Sequence, residues 1–270
     1  MNTTLLRTPT LAWPTLLLGL CVPLAWLAVV IGAMTHQLPL WLAAPLALGL
    51  AYVSFTPMHD ASHRSLGRRG WLNEAFGRLA GLPLLAPFPA FRAMHLAHHK
   101  HTNEEGDPDL WSGSGPSLLL PLRWLTQDLH YYVLVLTGRV RLSRRETLEV
   151  ALGVSAQIVA GGIFVAQGEG LTFLLVVLVP ARIATALLAF AFDYLPHRPH
   201  QITSKEDRFL ATHIMAEPWL SPIMLCQNFH LVHHLYPAVP FYRYGTVWRD
   251  QREALLAKGA REVSILDRTG

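Results

Sequence analysis

The sequence has little charge and almost no cysteine. Only 15% of its 270 residues are charged, whereas soluble domains carry about 25%, and a disordered chain or a coiled coil is excluded because both need more polarity. Cys21 and Cys226 are far apart and form no CxxC pair, which excludes a disulfide framework, a cysteine-type zinc site and a protein-bound iron–sulfur cluster. The formal net charge of +4 gives no reason to propose a nucleic-acid partner.

The sequence contains four long runs of apolar residues with almost no charge. The first would span about 36 Å as a helix, which is enough for a bilayer core of about 30 Å. The four runs cover residues 11–34, 38–58, 150–166 and 171–195. We therefore predict an all-α integral membrane protein with four transmembrane helices in two hairpins, whose turns lie at 35–37 and 167–170. The first run is too long for a typical signal peptide, and no small-residue cleavage site is obvious after it.

Lysine and arginine are distributed unevenly along the chain. Segment 59–147 contains 11 of them and segment 197–270 contains 9, whereas the two predicted turns contain none. The positive-inside rule then places both large segments, both termini and the active site in the cytoplasm. We expect one domain over residues 1–270, with segments 59–149 and 196–270 forming a histidine-rich helical cap on the cytoplasmic side.

Arg182 is a charge inside the fourth predicted helix. A charge in a membrane span is costly and faces the protein interior or water when it has a functional role. It can also cap a short tilted helix or pair with a lipid headgroup, and the sequence leaves both interpretations open.

Histidine is the unusual residue, with 14 copies in the chain. Three clusters, HDASH at 59–63, HLAHH at 95–99 and HLVHH at 230–234, contain eight of them. Residues three or four apart share a helix face, so each cluster predicts imidazoles on one side of a helix. These are His59, His63, His95, His98, His99, His230, His233 and His234. Imidazole binds iron, copper, zinc and nickel, and eight ligands suit two ions. Packing is a poor explanation, because close histidines repel when protonated and leave unpaired nitrogens when buried.

Two common metal motifs are missing from the clusters. No Glu follows the first histidine of any cluster, so the zinc protease motif HExxH is absent, and so is the Glu-xx-His pattern of di-iron bundles. Zinc normally takes three or four protein ligands, and an all-histidine site for two ions fits redox iron better. The sequence also has no GxGxxG fingerprint and no CxxCH haem motif, so electrons must come from another molecule.

The three clusters resemble, in order, the histidine boxes of the membrane fatty-acid desaturase/hydroxylase superfamily. Further elements look like the carotenoid-modifying branch, most of all the cyanobacterial-type beta-carotene hydroxylases. They are HLAHHKHTN at 95–103, GDPD at 106–109, DYLPHRP at 193–199 and QNFHLVHHLYP at 227–237. Beta-carotene ketolases share the LPHRP element. The resemblance implies that His197 is a ninth metal ligand, and it leaves the roles of His101, His200 and His213 open.

The resemblance also implies a function. Two iron ions would use dioxygen to oxidise an unactivated C–H bond of a lipophilic substrate from the bilayer, with ring hydroxylation of beta-carotene as the most specific expectation. An external donor such as ferredoxin would supply electrons, and membrane lipids surround the spans. Three alternatives stay open: an acyl-lipid desaturase or hydroxylase, a carotenoid ketolase, and a non-enzymatic membrane metal-binding protein.

Four polar residues are candidates to support the metal ligands. Asp60, Asp107 and Asp109 can accept the second N–H of a ligating imidazole, which fixes its tautomer and raises its basicity. Asp107 and Asp109 also fit a simple turn, because Asp, Pro and Gly favour turns. Asn228 is a candidate to hydrogen-bond to a metal-bound water.

Overall fold

The computed structural model describes residues 4–267, which fold mainly as helices. In chain order the helices are α1 (Trp13–Met34), α2 (Leu40–Ser62), α3 (Gly70–Gly81), α4 (Phe88–His101), α5 (Leu120–Leu125), α6 (Gln127–Leu136), α7 (Arg144–Ala166), α8 (Gly170–His197), α9 (Leu220–Ile223), α10 (His230–Leu235) and α11 (Tyr244–Leu256). Short 3-10 turns cover Pro108–Ser112, Ser117–Leu119, Gln227–Phe229 and Phe241–Arg243. Two short parallel strands, β1 (Ile214–Met215) and β2 (Glu262–Val263), pair Ile214 with Glu262.

Four helices in the described part of the chain are long and apolar enough to cross a membrane: α1, α2, α7 and α8. Their number agrees with the four predicted spans, and their bounds differ from the prediction. Helix α2 continues to Ser62 instead of ending at 58, because its last polar side chains find partners inside the protein. The hydroxyl of Ser62 donates to the His59 carbonyl at 2.7 Å, and the hydroxyl of Thr15 donates to the Asp60 carboxylate at 2.9 Å.

Helix α7 begins at Arg144, ahead of the predicted start at 150, because a capping box defines its first turn. The Ser143 hydroxyl accepts the backbone N–H of Glu146, and the Glu146 carboxylate accepts the backbone N–H of Ser143. Such a reciprocal pair satisfies two backbone donors that a helix start otherwise leaves unpaired. The charged first turn therefore belongs to the same helix as the apolar run.

Helix α8 is irregular. It contains two π-helical stretches, Phe173–Leu178 and Ala189–Tyr194, and ends in the 3-10 turn Leu195–His197. Stretches of π-helix occur frequently at functional sites. Here the second one immediately precedes His197, so the fourth span delivers a histidine to the same region as the end of α2.

Small residues on α2 hold the spans together. Ala43, Ala47 and Ala51 are fully buried and lie four residues apart, on one helix face. Ala43 and Ala47 pack in one core with Val30 of α1 and Val176 of α8. Ala51 packs in a second core, which contains Leu16 of α1 and Ala184 of α8. Beneath the histidines, Leu231 and Val232 of α10 pack against Tyr244 and Trp248 of α11 in a separate core.

Arg182 faces the protein and pairs with Asp128 of α6. Its two terminal nitrogens donate to the two carboxylate oxygens at 2.6 and 2.7 Å. This is the forked geometry in which Arg binds a carboxylate most strongly. Of the two interpretations of this charge, the structure shows the inward-facing one.

Candidate metal centre

Four segments bring the histidines together. Helix α4 presents the second cluster from one face, the end of α2 supplies the first cluster, and the short helix α10 supplies the third. His63 follows the last residue of α2, and His197 ends α8. All nine histidines predicted to bind metal lie in this one region, buried or half-buried.

The imidazoles form two groups of four. The first group is His59, His63, His95 and His233, and the second is His98, His197, His230 and His234. Within each group the ligand nitrogens lie within 4.8 Å of one another. The Nε2 atoms of His63 and His95 are 2.7 Å apart, and those of His197 and His230 are 3.0 Å apart. The ninth, His99, lies between the groups, because it clusters with His233 and His234.

The two groups fit two metal ions. Metal–imidazole bonds of about 2.0–2.1 Å place ligand nitrogens on one ion roughly 3–4 Å apart. The observed separations, from 2.7 Å up to a limit of 4.8 Å, span this range. Each group could also be written as two N–H···N pairs, His63–His95 with His59–His233 and His197–His230 with His98–His234. It is the convergence of four nitrogens on one point that favours a metal. The donors are neutral nitrogen ligands, the type that iron, copper, zinc and nickel accept.

Burial favours the neutral form that metal binding requires. Burial lowers the pKa of His63, His95 and His99 well below the ordinary value, and neighbouring imidazoles lower it further. The same causes, burial first, lower the pKa of His230, His233 and His234. A positive charge on any of these rings would be buried away from water and next to other imidazoles, and both effects disfavour it. The rings therefore stay neutral, and their lone pairs remain free for a metal.

The Asp107 carboxylate contacts Nδ1 of His98, while Nε2 of the same ring faces the other histidines. Burial lowers the pKa of His98, but the carboxylates of Asp107 and Asp109 outweigh it and raise the value to about 9. The Nδ1–H of His98 donates to Asp107 at 2.8 Å, and Asp107 also accepts the backbone N–H groups of Asn103 and Asp109 at 2.8 and 2.9 Å. The residues thus form a turn and a support for His98, so the two interpretations of this pair are compatible.

Asp109 is part of a buried polar network. It lies 3.4 Å from Nδ1 of His98, and it accepts hydrogen bonds from Gln127 at 3.2 Å and from the hydroxyl of Tyr131. Burial, together with the Asp107 carboxylate, raises the pKa of Asp109 to about 6, although the charge of His98 and the hydrogen bonds from Tyr131 and Gln127 act to lower it. Burial and the Asp109 charge also raise the pKa of Tyr131. The spacing of the sequence gave no signal for Gln127 or Tyr131, which lie on α6.

The other two polar candidates form most of their hydrogen bonds outside the histidine groups. Asp60 accepts from Thr15 and, at 3.2 Å, from the backbone of Phe241, and its second oxygen lies 3.7 Å from Nδ1 of His59. The amide of Asn228 donates to the Met215 carbonyl at 3.2 Å, and its oxygen accepts from Ser221 at 3.2 Å. A water-binding role for Asn228 remains a prediction.

Two residues that the sequence did not single out contact the ligands. The Nδ1 atom of His233 lies 3.0 Å from the hydroxyl of Tyr244, and Nδ1 of His59 lies 3.4 Å from the amide of Gln227. With Nε2 facing the centre, His233 donates its Nδ1–H to Tyr244. Both partners hold a ring in orientation, as supporting residues of metal sites do.

The remaining histidines lie outside the two groups. His101 contacts Glu104 at 3.5 Å, His130 stacks on Trp111, and His36 faces Glu169. His200 stacks at 6.1 Å from His197, and the Nε2 atom of His213 is buried without a partner among the described residues.

An apolar cavity reaches the histidine centre. His59, His95, His98 and His230 line its inner end. Its walls are mainly apolar, with Phe55, Met58, Phe91, Leu188 and Phe192 prominent among them. The ion-paired Asp128 also borders it, beside Tyr132. A cavity with this lining suits a lipophilic molecule, which would lie with one end against the histidines.

The chain is similar to known membrane enzymes. It is 33% identical over 111 residues to an "sn-1 oleoyl-lipid 12-desaturase" of Picosynechococcus sp., covering 41% of this chain and 31% of that protein. It is 31% identical over 91 residues to an "sn-1 acyl-lipid omega-3 desaturase (ferredoxin)" of Nostoc sp., covering 34% and 25%. The match to a "Beta-carotene ketolase" of Paracoccus sp. is longer: 30% identity over 226 residues, covering 77% of this chain and 84% of the ketolase.

The sequence model of the fatty acid desaturase family matches residues 37–265, which include all three histidine clusters and His197. These two desaturase alignments cover less than a third of the relatives' lengths. An alignment with an "sn-1 oleoyl-lipid 12-desaturase" of Anabaena variabilis is longer, with 26% identity over 222 residues, covering 74% of this chain and 53% of that protein. The ketolase alignment covers most of both chains. The four apolar helices and the histidine centre agree with these matches. This chain belongs to the fatty acid desaturase family.

Proposed function

We propose that this protein is a di-iron, dioxygen-dependent enzyme that oxidises a ring carbon of beta-carotene or a closely similar carotenoid, with a hydroxylated product. The observation that carries the proposal is the apolar cavity that ends at two groups of histidine nitrogens. The long alignment with a carotenoid enzyme supports the substrate class. The overall reaction converts C–H to C–OH and consumes dioxygen, two electrons and two protons, with release of one water.

The histidines would hold the two ions. His59, His63, His95 and His233 would bind one, and His98, His197, His230 and His234 the other, with His99 between them. Bound iron supplies the redox chemistry that activates dioxygen. The chain supplies ligands, their orientation through Asp107 and Tyr244, and an apolar cavity that keeps bulk water away.

The cavity would orient the substrate. Phe55 and Phe91 pack edge to face at 5.7 Å, and Phe55 stacks at 5.0 Å on Phe192. All three line the cavity next to His95 and His59. An apolar ring held against these side chains presents a C–H bond to the histidine centre, and fixed proximity of this kind supplies a large part of catalysis.

The whole chain would form one domain with two helical hairpins. Its histidine centre would face the cytoplasm, and an external donor such as ferredoxin would supply electrons. The excess of basic residues in segments 59–147 and 197–270 supports the orientation. The donor class is supported by the name of the Nostoc relative.

Pigment analysis tests the proposal. The chain would be expressed in a bacterial host that accumulates beta-carotene, beside His98→Ala and a matched His36→Ala variant. His98 belongs to the second group of histidines, whereas His36 is exposed in a loop and its side chain faces Glu169. We expect hydroxylated carotenoid from the unchanged chain and from His36→Ala, and none from His98→Ala. Unchanged beta-carotene, with iron-loaded protein present, would overturn the substrate assignment.

Ketone formation is the second candidate, because the long carotenoid-enzyme alignment is with a ketolase. Repeated oxidation of one ring carbon gives a ketone, so mass spectrometry of the same extract separates the two products. Acyl-lipid desaturation is the third, supported by the local desaturase matches. A new double bond in the host lipids, lost in His98→Ala, would establish it. Bound metal without any dioxygen-dependent product would favour a metal-binding protein instead.

A further inference from the structure

A second cavity lies beside His197 and is separate in its lining from the apolar cavity. Buried Asn103 and His197 form part of its wall. Gln201 and Arg261, which also line it, are exposed, so the cavity communicates with solvent. Arg198 also lines this cavity.

The cavity is positively charged. Arg198 and Arg261 both line it, and within residues 4–267 neither forms an ion pair with a carboxylate. The Nε of Arg198 is buried and has no acceptor in the described part of the chain. Two guanidinium groups facing one cavity create an attraction for an anion, which the low dielectric of the wall strengthens.

Two buried side chains of residues that line the cavity carry unpaired polar atoms. The Nε2 of His197 faces His230 at 3.0 Å, and its Nδ1 has no partner among the described residues. The amide nitrogen of Asn103 donates to the carbonyls of Ile202 and Ala211, both at 2.8 Å, which fixes the side chain and leaves Oδ1 unpaired. Buried polar groups normally have partners, so these atoms point to a polar occupant.

We propose that this cavity binds a protonated phosphate group, as in inorganic phosphate or a phosphate monoester. Its oxygens would accept hydrogen bonds from Arg198, Arg261 and the Nδ1–H of His197, and its P–OH would donate to Oδ1 of Asn103. The planar guanidinium fork matches phosphate oxygens well. Phosphate esters keep one proton up to a pKa of about 6, whereas sulfate and a lipid phosphodiester carry none near neutral pH.

Titration calorimetry tests this site on the full-length, iron-loaded protein in a non-ionic detergent at pH 6. The probes are inorganic phosphate, sulfate and glycerophosphocholine, the last standing for a lipid headgroup. We expect phosphate to bind most tightly. Arg261→Gln should weaken phosphate binding by about tenfold or more, because it removes charge-assisted hydrogen bonds. The control Arg249→Gln, on α11 and outside the cavity, should leave it unchanged.

Iron content distinguishes this site from phosphate bound to iron. Arg261 is exposed and contacts no histidine of the two groups, so Arg261→Gln should keep its iron. Phosphate binding that persists at full strength in Arg261→Gln would overturn the proposal, and so would the absence of binding to the unchanged chain. Equal binding of sulfate would overturn the assignment to a protonated phosphate, and tighter binding of glycerophosphocholine would point to a lipid headgroup.

Discussion

At the scale of single residues, Asp107 has a sharper role than the spacing of GDPD predicts. It accepts the Nδ1–H of His98 and two backbone N–H groups. Asp107→Ala would leave three buried donors unpaired and release the ring of His98. We expect iron retention to fall about 10- to 100-fold, the usual effect of losing a group that supports a ligand. The measurement is the iron content of the wild-type protein and of the variant after dialysis against increasing concentrations of a chelator.

Glu105→Gln is the matched control for that change, since Glu105 is an exposed carboxylate two residues away. Asp107→Asn adds a second comparison, because the amide keeps the shape and one acceptor oxygen but loses the charge. Wild-type iron retention in Asp107→Ala would show that the carboxylate only stabilises the turn.

The residues of the candidate centre were predictable to different degrees. Eight histidines follow from helical spacing, because His95 and His99 share a face whatever the tertiary fold. His197 needed the family resemblance, since nothing in its local spacing marks it. Tyr244 and Gln227 could not be predicted, because their contacts with His233 and His59 arise when segments distant in sequence pack together.

At the scale of helices, the pair between Arg182 and Asp128 joins α8 to α6 beside the substrate cavity. Arg182→Leu would leave a half-buried carboxylate without its partner. We expect a loss of about 1–3 kcal/mol in unfolding free energy, less than the ~3–5 of a fully buried pair because both side chains retain some exposure. Thermal unfolding in detergent measures it.

The double change Arg182→Leu with Asp128→Leu should recover most of that loss, since replacing a whole ion pair by apolar groups is often neutral or stabilising. A double variant less stable than Arg182→Leu alone would contradict this explanation. It would mean that Asp128 has a further structural partner.

Helix α7 is attached to its neighbours by side-chain ion pairs at its N-terminal end. In that helix only Val150 is buried, while Leu152, Ile158 and Val165 are exposed as lipid-facing residues of a span are. Its first turns bind α3 and α4 through Arg78–Glu149, at 2.6 Å, and Arg92–Glu146, at 2.9 Å. The helix therefore has few other contacts to hold it in place.

We expect Arg78→Gln and Glu149→Gln to be non-additive, with a coupling energy of roughly 0.5–1 kcal/mol in a double-mutant cycle, at the upper end for partly exposed pairs. Added salt should reduce the coupling. Arg145→Gln, an exposed change on the same turn, is the control. A coupling near zero would mean that lipid, and not this pair, positions α7.

The bounds of these helices show what a hydropathy pattern leaves out. Apolar runs gave the number of spans, but α2 extends through His59 and Asp60 because those side chains are satisfied by distant residues such as Thr15 and Gln227. The π-helical stretch Ala189–Tyr194 has no pattern of its own in the sequence. The end of α2 and the π-helical stretch both depend on hydrogen bonds and tertiary contacts, which a hydropathy pattern does not contain.

At the scale of the whole molecule, the orientation in the membrane decides which compartment supplies electrons. In a chain whose Cys21 and Cys226 are replaced by serine, Gln37→Cys and Lys258→Cys place one exposed thiol on each proposed side. We expect a membrane-impermeant maleimide to label Gln37→Cys in intact bacterial cells and Lys258→Cys only after permeabilisation. The physical reason is the retention of basic segments on the cytoplasmic side.

Labelling of both thiols in permeabilised cells controls for exposure, and pigment analysis of both variants controls for folding. The opposite pattern, with Lys258→Cys labelled in intact cells, would contradict the orientation. It would also remove a cytoplasmic donor such as ferredoxin, because the histidine centre lies at the C-terminal end of α2, away from the turn that contains Gln37. The expected pattern places that centre, the predicted donor and the entrance to the phosphate cavity in one compartment.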